Sequence, residues 1–214
     1  GSTLEVGSLD GIINRGSSPI TTGNLWTITY SFFDETDDNN FIYTAEGYNS
    51  AFTPQSEGGV TPPRATNNSA EWIERVQLGD IDNTSGRDIA PQSGYQFFPS
   101  DQTTLIAGQS YSITLTPGFS GSSINQRWRV WIDYNFSGDF TNDATERMVD
   151  LSGSASAQTA NFTVPAGAMP GTTRMRIRMW RASESTGLNP TGNNTRGEVE
   201  DYSVKIVNPN YAAL

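Results

Sequence analysis

The sequence predicts an all-β protein, an antiparallel β-sandwich of the jelly-roll or immunoglobulin-like type with roughly eight to ten strands. Short segments of alternating apolar and polar residues recur along the chain, and turns rich in Gly, Pro, Ser, Asn and Asp separate them. Helical runs of Ala, Leu, Glu and Lys are missing, which favours strands over helices. A chain of 214 residues can form one large β domain with a sizeable core.

The first 63 residues predict extra strands ahead of the main sandwich. Strands are expected over residues 4–14, Leu25–Phe33 and 41–43. A stretch rich in Gly, Pro and Ser over residues 49–63 then forms a linker or long loop. We expect residues 1–63 to pack on the same sandwich, and the alternative is that they are the remnant of a preceding segment.

Residues 64–208 predict the main sandwich, and residues 209–214 a C-terminal tail. Strands are expected at Glu71–Leu78, 94–98, 103–106, 110–117, 126–134, 159–164, 172–181 and Glu198–Val207. In the strand 126–134, Trp128, Val130 and Ile132 share one face. The strand 172–181 alternates in the same way, so both strands are expected to turn an apolar face to the core.

Composition excludes several classes of function. The net charge of −10 and the pI near 4.4 argue against nucleic acid as a partner, because such binding needs a basic surface. The chain has no Cys and no His, which excludes disulfides, thiol catalysis, zinc sites of the Cys/His type and Ser-His-Asp triads. No apolar run has the length of a membrane span. We expect a monomeric module that is secreted or displayed on the cell surface.

The loop after the strand 126–134 places oxygen-bearing side chains at every second position. Calcium takes about six to eight oxygen ligands, and a glycine lets the backbone curl back around the ion. Carboxylates about 4 Å apart repel by roughly 4 kcal/mol at an effective dielectric of about 20, so they converge only around a cation. We therefore predict a calcium site whose ligands are Asp133, Asn135, Ser137, Asp139 and Glu146.

Two other structures are compatible with parts of this loop. A solvated turn between strands, rich in Asn and Asp, gives a similar pattern without any metal. An EF-hand fits less well, because its twelfth position would be Ala144 rather than Glu and because strand-like residues lead into the loop.

Several separated motifs together resemble the GEVED domain, a module of bacterial secreted and cell-surface proteins. The motifs are Gly197-Glu198-Val199-Glu200-Asp201-Tyr202, Glu71-Trp72-Ile73, and residues 115–122, 128–135, 138–140, 162–167 and 172–176. The resemblance extends over residues 64–208 and implies a β-sandwich accessory module, attached to secreted hydrolases, peptidases or adhesins, with no known catalytic role. Ser137 replaces the usual Asp and Thr145 the usual Gly, which is expected to weaken the metal site. The cysteine pair found in many members is also missing.

The last predicted strand places two carboxylates on the core side. If Tyr202 points into the core, period-two alternation puts Glu198 and Glu200 on the same side, where carboxylates need a cation or a partner. One hypothesis is that Glu198 and Glu200, with Asp201, join the calcium site or form a second one. The other is that they form ion pairs with the arginines of the strand 172–181.

Two neighbouring strands are predicted to carry a basic stripe edged by tryptophans. Its members are Arg127, Arg129, Arg174, Arg176, Arg178, Trp131 and Trp180. One interpretation is a platform for an acidic or sulfated polysaccharide, with the rings packing on sugar faces. The other is a sheet surface neutralised by the protein's own carboxylates.

These observations predict a non-catalytic, calcium-stabilised extracellular module that binds polysaccharide as an appendage of a secreted enzyme. An adhesin or structural spacer of a cell-surface protein is the first alternative. A glycan-active enzyme using paired carboxylates is the second, and it would require a cleft with two facing carboxyl groups.

Overall fold

A computed structural model describes residues 25–33, 40–48, 63–89, 94–135, 137–140, 143–184 and 189–210. The predicted strand over residues 4–14 lies outside these ranges, as does most of the predicted linker. The division into residues 1–63, 64–208 and 209–214 therefore stays a prediction.

Within the described residues the chain forms a series of strands and one short helix. The strands are β1 (Leu25–Phe33), β2 (Asn40–Tyr48), β3 (Ala65–Asn67), β4 (Glu71–Leu78), β5 (Ile81–Asn83), β6 (Tyr95–Ile106), β7 (Ser110–Phe119), β8 (Gln126–Ile132), β9 (Arg147–Ser154), β10 (Gln158–Thr163), β11 (Gly171–Arg181), β12 (Asn194–Arg196) and β13 (Glu198–Val207). The helix α1 spans Asp143–Glu146.

Two sheets face each other and form the predicted sandwich. One has the strand order β6-β13-β11-β8-β9 and the other the order β10-β7-β4-β5. The pairings within them are antiparallel apart from the parallel pairing of β13 with β6. The strands β12 and β3 form a small parallel ladder, and β1 pairs with β2 in a separate hairpin. The predicted all-β, largely antiparallel sandwich is confirmed.

The inner faces of the two sheets make one hydrophobic core. β8 and β11 contribute the alternating residues that the sequence indicated, including Trp128, Val130 and Ile177, and β4 contributes Ile73 and Val76 from the opposite sheet. Burying each such side chain stabilises the fold by about 1.5–3 kcal/mol.

The five-stranded sheet is also covered on its outer face. From Thr173 to Trp180 every residue of β11 is buried, so this central strand has no solvent-facing side. A segment over residues 189–194 contributes to the cover, through its bonds to β11 side chains. Polar side chains on this face therefore need partners inside the protein.

Candidate functional site

The loop over residues 133–140 links four of the predicted ligand residues through local hydrogen bonds. Asp133 accepts the N–H of Ser137 on Oδ1 at 3.1 Å and the N–H of Gly138 on Oδ2 at 2.9 Å. Asn135 Oδ1 accepts the same Ser137 N–H at 2.8 Å, and Ser137 Oγ lies 3.3 Å from Asp139 Oδ1. Gly138 has a φ of +81°, the conformation for which a glycine was expected there.

Strand β11 holds both ends of this loop. The N–H of Asp133 donates to Arg174 O at 3.1 Å, and Thr173 Oγ1 donates to Asp133 O at 2.7 Å. At the other end, the buried Phe140 ring lies 5.2 Å from the guanidinium carbon of Arg176. The loop is therefore part of the folded sandwich.

The charge environment of Asp133 suits a cation. Burial raises the pKa of Asp133, and the nearby Asp139 carboxylate raises it further, while the N–H donors of Gly138 and Ser137 and the charge of Arg174 oppose the shift. A buried carboxylate beside a second carboxylate is stabilised when a divalent ion lies between them.

The predicted convergence of Asp133, Asp139 and Glu146 is not found among the described residues, and Glu146 as a ligand stays a prediction. Glu146 is buried at the end of α1, but the described residues contain no group of three or more Asp, Glu, His or Cys side chains placed to hold a metal ion. The loop offers two carboxylates, one amide and one hydroxyl. Such a set fits calcium of modest affinity, because affinity rises with the number of charged ligands.

A second polar site lies between the sheets, where β5 ends. β5 pairs with β4 only from Val76 to Leu78, and on the β7 side Ile73 lies opposite Pro117, which has no N–H to donate. Two side chains bond the Ile73 backbone instead. Its N–H donates to Glu198 Oε2 at 2.9 Å, and its carbonyl accepts Ser85 Oγ at 3.1 Å.

Glu198 links the two sheets through its second oxygen as well. Oε1 accepts the Asp88 N–H at 3.2 Å, Asn68 Nδ2 at 3.3 Å and Gln96 Nε2 at 3.3 Å. Each of these partners is an N–H donor, and Glu198 is fully buried. The carboxylate therefore replaces missing strand pairing with charge-assisted hydrogen bonds.

Glu200 binds the segment over residues 83–88, here called the covering segment. Its Oε1 lies 2.6 Å from Ser85 Oγ, and its Oε2 accepts Tyr202 OH at 2.7 Å. Tyr202 OH in turn accepts Asn83 Nδ2 at 3.0 Å, and Gly86 O accepts Gln96 Nε2 at 3.1 Å. We call Glu198, Glu200 and these partners the carboxylate junction.

Burial shifts both carboxyl groups of the junction. It raises the pKa of Glu198 to about 7, against the lowering effect of the N–H donors. It raises the pKa of Glu200 to about 8, and the neighbouring Glu198 charge adds to this shift.

The structure bears on both hypotheses for the last strand, and the ion-pair hypothesis holds for Asp201 but not for Glu198 or Glu200. Period-two alternation placed Glu198, Glu200 and Tyr202 on the core side correctly, but Glu198 and Glu200 bond to amides and hydroxyls. Both oxygens of Glu198 accept N–H donors in this structure, and its assignment as a metal ligand stays a prediction. Arg174 and Arg176 of β11 pair with Asp201.

Asp201 anchors the outer face of the five-stranded sheet. Arg176 donates to both Asp201 oxygens, at 2.8 and 2.7 Å, and Tyr95 OH donates to Oδ2 at 2.9 Å. Arg174 NH1 lies 3.6 Å from the same carboxylate. Burial alone would raise the pKa of Asp201, but the Arg176 charge and these hydrogen bonds lower it below its usual range.

Arg178 holds the segment over residues 189–194 against β11. Its guanidinium donates to Asn189 O, to Thr191 O at 3.0 Å, to Gly192 O at 2.9 Å and to Asn194 Oδ1 at 2.9 Å. Burial and the neighbouring Arg176 charge lower the pKa of Arg178 to about 9.

The predicted basic stripe exists, but it is not an exposed platform. β8 and β11 are neighbours as expected, with Arg176 opposite Trp131 and Arg178 opposite Arg129. However, Arg174, Arg176, Arg178, Trp131 and Trp180 are all buried. Arg127 packs on the Trp180 ring at 5.8 Å, and Arg129 pairs with Asp150 at 2.8 Å. Sugar rings cannot reach tryptophans that lie under the protein's own chain.

Sequence reasoning missed the partners of the junction. Asn68, Ser85 and Gln96 are polar residues without a distinctive pattern, and they meet Glu198 or Glu200 only through the fold. The run after Ile81, rich in Asn, Ser and Gly, could have indicated these partners. Buried carboxylates need hydrogen-bond donors, and a polar segment packed against them can supply such donors.

The fold and the junction define an all-β sandwich domain whose last strand carries a buried carboxylate motif. Residues 127–205 match the family model of the GEVED domain, which confirms the resemblance seen in the sequence. No curated protein matches the chain.

Three solved structures are similar to parts of this chain. The CARDB domain of a Pyrococcus furiosus protein, in complex with di-metal ions, is 13% identical; 64% of this chain and 91% of that chain are covered, with a TM-score of 0.31. A Niemann-Pick type C2 protein from Japanese carpenter ant is 7% identical, with 67% and 97% covered and a TM-score of 0.34. A family 123 glycoside hydrolase from Clostridium perfringens is 13% identical, with 54% and 23% covered and a TM-score of 0.31. These similarities are too distant to bear on function.

Within the described residues, no helix combines the length and the apolar character needed to cross a membrane.

Proposed function

We propose that this protein is a non-catalytic, calcium-stabilised accessory module of a secreted or cell-surface protein. The observation that carries the proposal is the loop over residues 133–140, in which Asp133, Asn135, Ser137 and Asp139 are drawn together while both ends are fixed to β11. The buried carboxylates support a non-catalytic role, because Glu198 and Glu200 bond inside the core rather than facing a cleft.

Calcium would be held by the side chains of Asp133, Asn135, Ser137 and Asp139. The ion would supply positive charge beside two carboxylates, one of them buried. Binding to the folded state alone stabilises a protein by about 2.7 kcal/mol when free ligand is a hundredfold above its dissociation constant. Strand β11 holds both ends of the loop, so the ligand oxygens would be positioned without the ion.

The test is thermal unfolding with millimolar calcium and with chelator. We expect calcium to raise the melting temperature by several degrees, and Asp133→Asn to remove this response. The matched control is Asp82→Asn, because Asp82 is an exposed acid paired with Arg75 far from the loop in sequence. A wild-type melting temperature that is the same with calcium and with chelator would contradict the proposal.

Polysaccharide binding is a second candidate function. The feature that favours it is a cavity away from the basic stripe. An open cavity of about 600 Å³ is lined by Ser123, Asn125, Arg181 and Ser183, among others. Arg181 is held in place by two hydrogen bonds, at 2.9 and 2.8 Å, to the buried Glu71. Hydroxyl, amide and guanidinium groups of this kind suit sugar hydroxyls.

Retention on insoluble polysaccharides tests this second candidate. The double variant Asn125→Ala/Ser183→Ala should lose retention, while Asn161→Ala on the exposed face of β10 should keep it. Equal retention of both variants would place any sugar binding elsewhere.

A further inference from the structure

Arg174 and Asp133 lie opposite each other where the loop over residues 133–140 begins. The register of β11 and β8 pairs Met175 with Ile132, and the N–H of Asp133 donates to Arg174 O at 3.1 Å, so the pairing continues by one residue. Met175 and Ile132 pack in the core, so the side chains one position further along both lie on the outer face of the sheet. Opposite side chains on one face have their Cβ atoms about 4.5–5.5 Å apart. A guanidinium side chain therefore starts beside the first predicted calcium ligand.

The far end of the loop packs on the same arginine. The ring of Phe140, the residue after Asp139, is buried, and its centre lies 5.8 Å from the guanidinium carbon of Arg174. Arg174 itself is only 8% exposed. Because solvent and salt screen a buried charge weakly, this guanidinium acts on the carboxylates of the loop. The lowering effect of the Arg174 charge on the pKa of Asp133 agrees with this placement.

Asp201 receives two arginines, and Arg174 is the more distant one. Arg176 donates to both oxygens of Asp201, at 2.8 and 2.7 Å, whereas Arg174 NH1 lies 3.6 Å from Oδ2. One carboxylate balances one guanidinium. The two arginines therefore bring one positive charge more than Asp201 balances, and the arginine that Asp201 holds less closely is the one beside the loop.

We propose that Arg174 is a built-in counterion of the calcium loop, which stabilises the loop without the ion and opposes the binding of calcium. This inference rests on the proposed function, because it assigns to Arg174 the setting of affinity at the proposed calcium site. The residue binds no calcium itself. It acts through its charge on Asp133.

Two opposite effects follow from one charge. Without calcium, Arg174 attracts the carboxylate of Asp133 and so stabilises the folded protein. With calcium bound, the guanidinium and the ion repel each other, and the repulsion is doubled by the double charge of the ion. Removal of the guanidinium charge is therefore expected to weaken the calcium-free protein and to raise the affinity for calcium by about tenfold. With Arg174 in place, the site fills only when calcium is abundant.

Calorimetric titration of calcium into Arg174→Met tests the proposal. Methionine keeps an unbranched apolar stem against Phe140 and removes the charge. We expect its dissociation constant to be about tenfold lower than that of the wild type at the same ionic strength. Arg174→Lys keeps the charge and should stay near the wild-type value. Arg75→Met is the matched control, because it removes a positive charge from an exposed pair with Asp82 and should leave the affinity unchanged.

Thermal unfolding separates this role from a merely structural one. In chelator, Arg174→Met should melt below the wild type, while calcium should raise its melting temperature by more than it raises that of the wild type. A merely structural role of Arg174 would lower the melting temperature in both conditions by the same amount. If Arg174→Met does not fold, the side-chain Nε–H resonances of the wild type give the answer. Calcium should shift the resonance of Arg174 and leave that of Arg75 in place, and an unshifted Arg174 resonance in a protein that binds calcium would overturn the proposal.

The inference and the proposed function fail in different ways. Equal or weaker calcium binding by Arg174→Met, beside measurable binding by the wild type, would overturn the role of Arg174 and leave the calcium site standing. Absence of calcium binding in both folded proteins would contradict the calcium site itself. Binding that is detected only in Arg174→Met would support both, since the variant is expected to bind more tightly.

Discussion

Four of the five residues from Gly197 to Asp201 contact different parts of the molecule. Gly197 passes close to β11, with a φ of +102°. Glu198 bonds the opposite sheet, Glu200 bonds the covering segment, and Asp201 pairs with Arg176 on the outer face. Val199 is buried beside Asp201. The motif thus ties three parts of the molecule to one strand, which gives it a structural role.

Gly197→Ala is expected to destabilise the fold by about 2 kcal/mol or more, because an L-residue is strained at this φ. A Cβ there would also lie 2.0 Å from Met179 O, a backbone atom that cannot move away cheaply. Urea unfolding measures the effect. Gly153→Ala separates the two causes, since Gly153 also has a positive φ, of +73°, but has open space around it. Equal losses in the two variants would mean that the backbone contact contributes nothing.

At the scale of elements, strands with strict alternation were predictable and polar ones were not. Glu71–Leu78 and Glu198–Val207 have the predicted bounds, because one face of each is apolar and the turns beside them are rich in Gly or Asn. β9 was missed because the adjacent apolar residues Met148 and Val149 interrupt the alternation and Arg147–Ser154 ends in small residues, and it is a strand through pairing with β8. β6 was predicted as two strands, because its interruption at Pro99 is a bulge opposite β13 rather than an end.

Arg178 is expected to control the segment over residues 189–194. Arg178→Lys keeps a positive charge but cannot bond four acceptors in one plane, so we expect a loss of about 2–3 kcal/mol. Hydrogen exchange of the Asn194 amide, which donates to Arg64 O at 3.1 Å, reports on this segment. Arg75→Lys at the exposed pair with Asp82 should be near neutral. Unchanged Asn194 protection in Arg178→Lys would show that other contacts hold the segment.

At the scale of the whole molecule, the fold class followed from alternation, while the exposure of each face did not. The sequence placed five arginines and two tryptophans on one face correctly, and burial of that face depended on a segment distant in sequence from β8. Likewise, the residues from Asp133 to Asp139 could be predicted to lie together because they are neighbours in the sequence. The partners of Glu198 come from four separate elements, so no local pattern could reveal them.

Within the part of the chain that the structure describes, Asp201 and Glu71 form ion pairs with arginines, whereas Asp133, in the loop over residues 133–140, accepts backbone N–H groups. There, Asp133 and Asp139 lie together, with Arg174 as the cation that influences Asp133. A divalent ion at this loop is the central claim about function, because it would make the stability of the module depend on the calcium of its surroundings.

Calorimetric titration of calcium into the metal-free protein tests this claim most directly. We predict saturable binding with about one site per chain and modest affinity, lost in the Asp133→Asn/Asp139→Asn double variant and kept in Asp82→Asn. Absence of any saturable heat with the folded wild-type protein at millimolar calcium would contradict it.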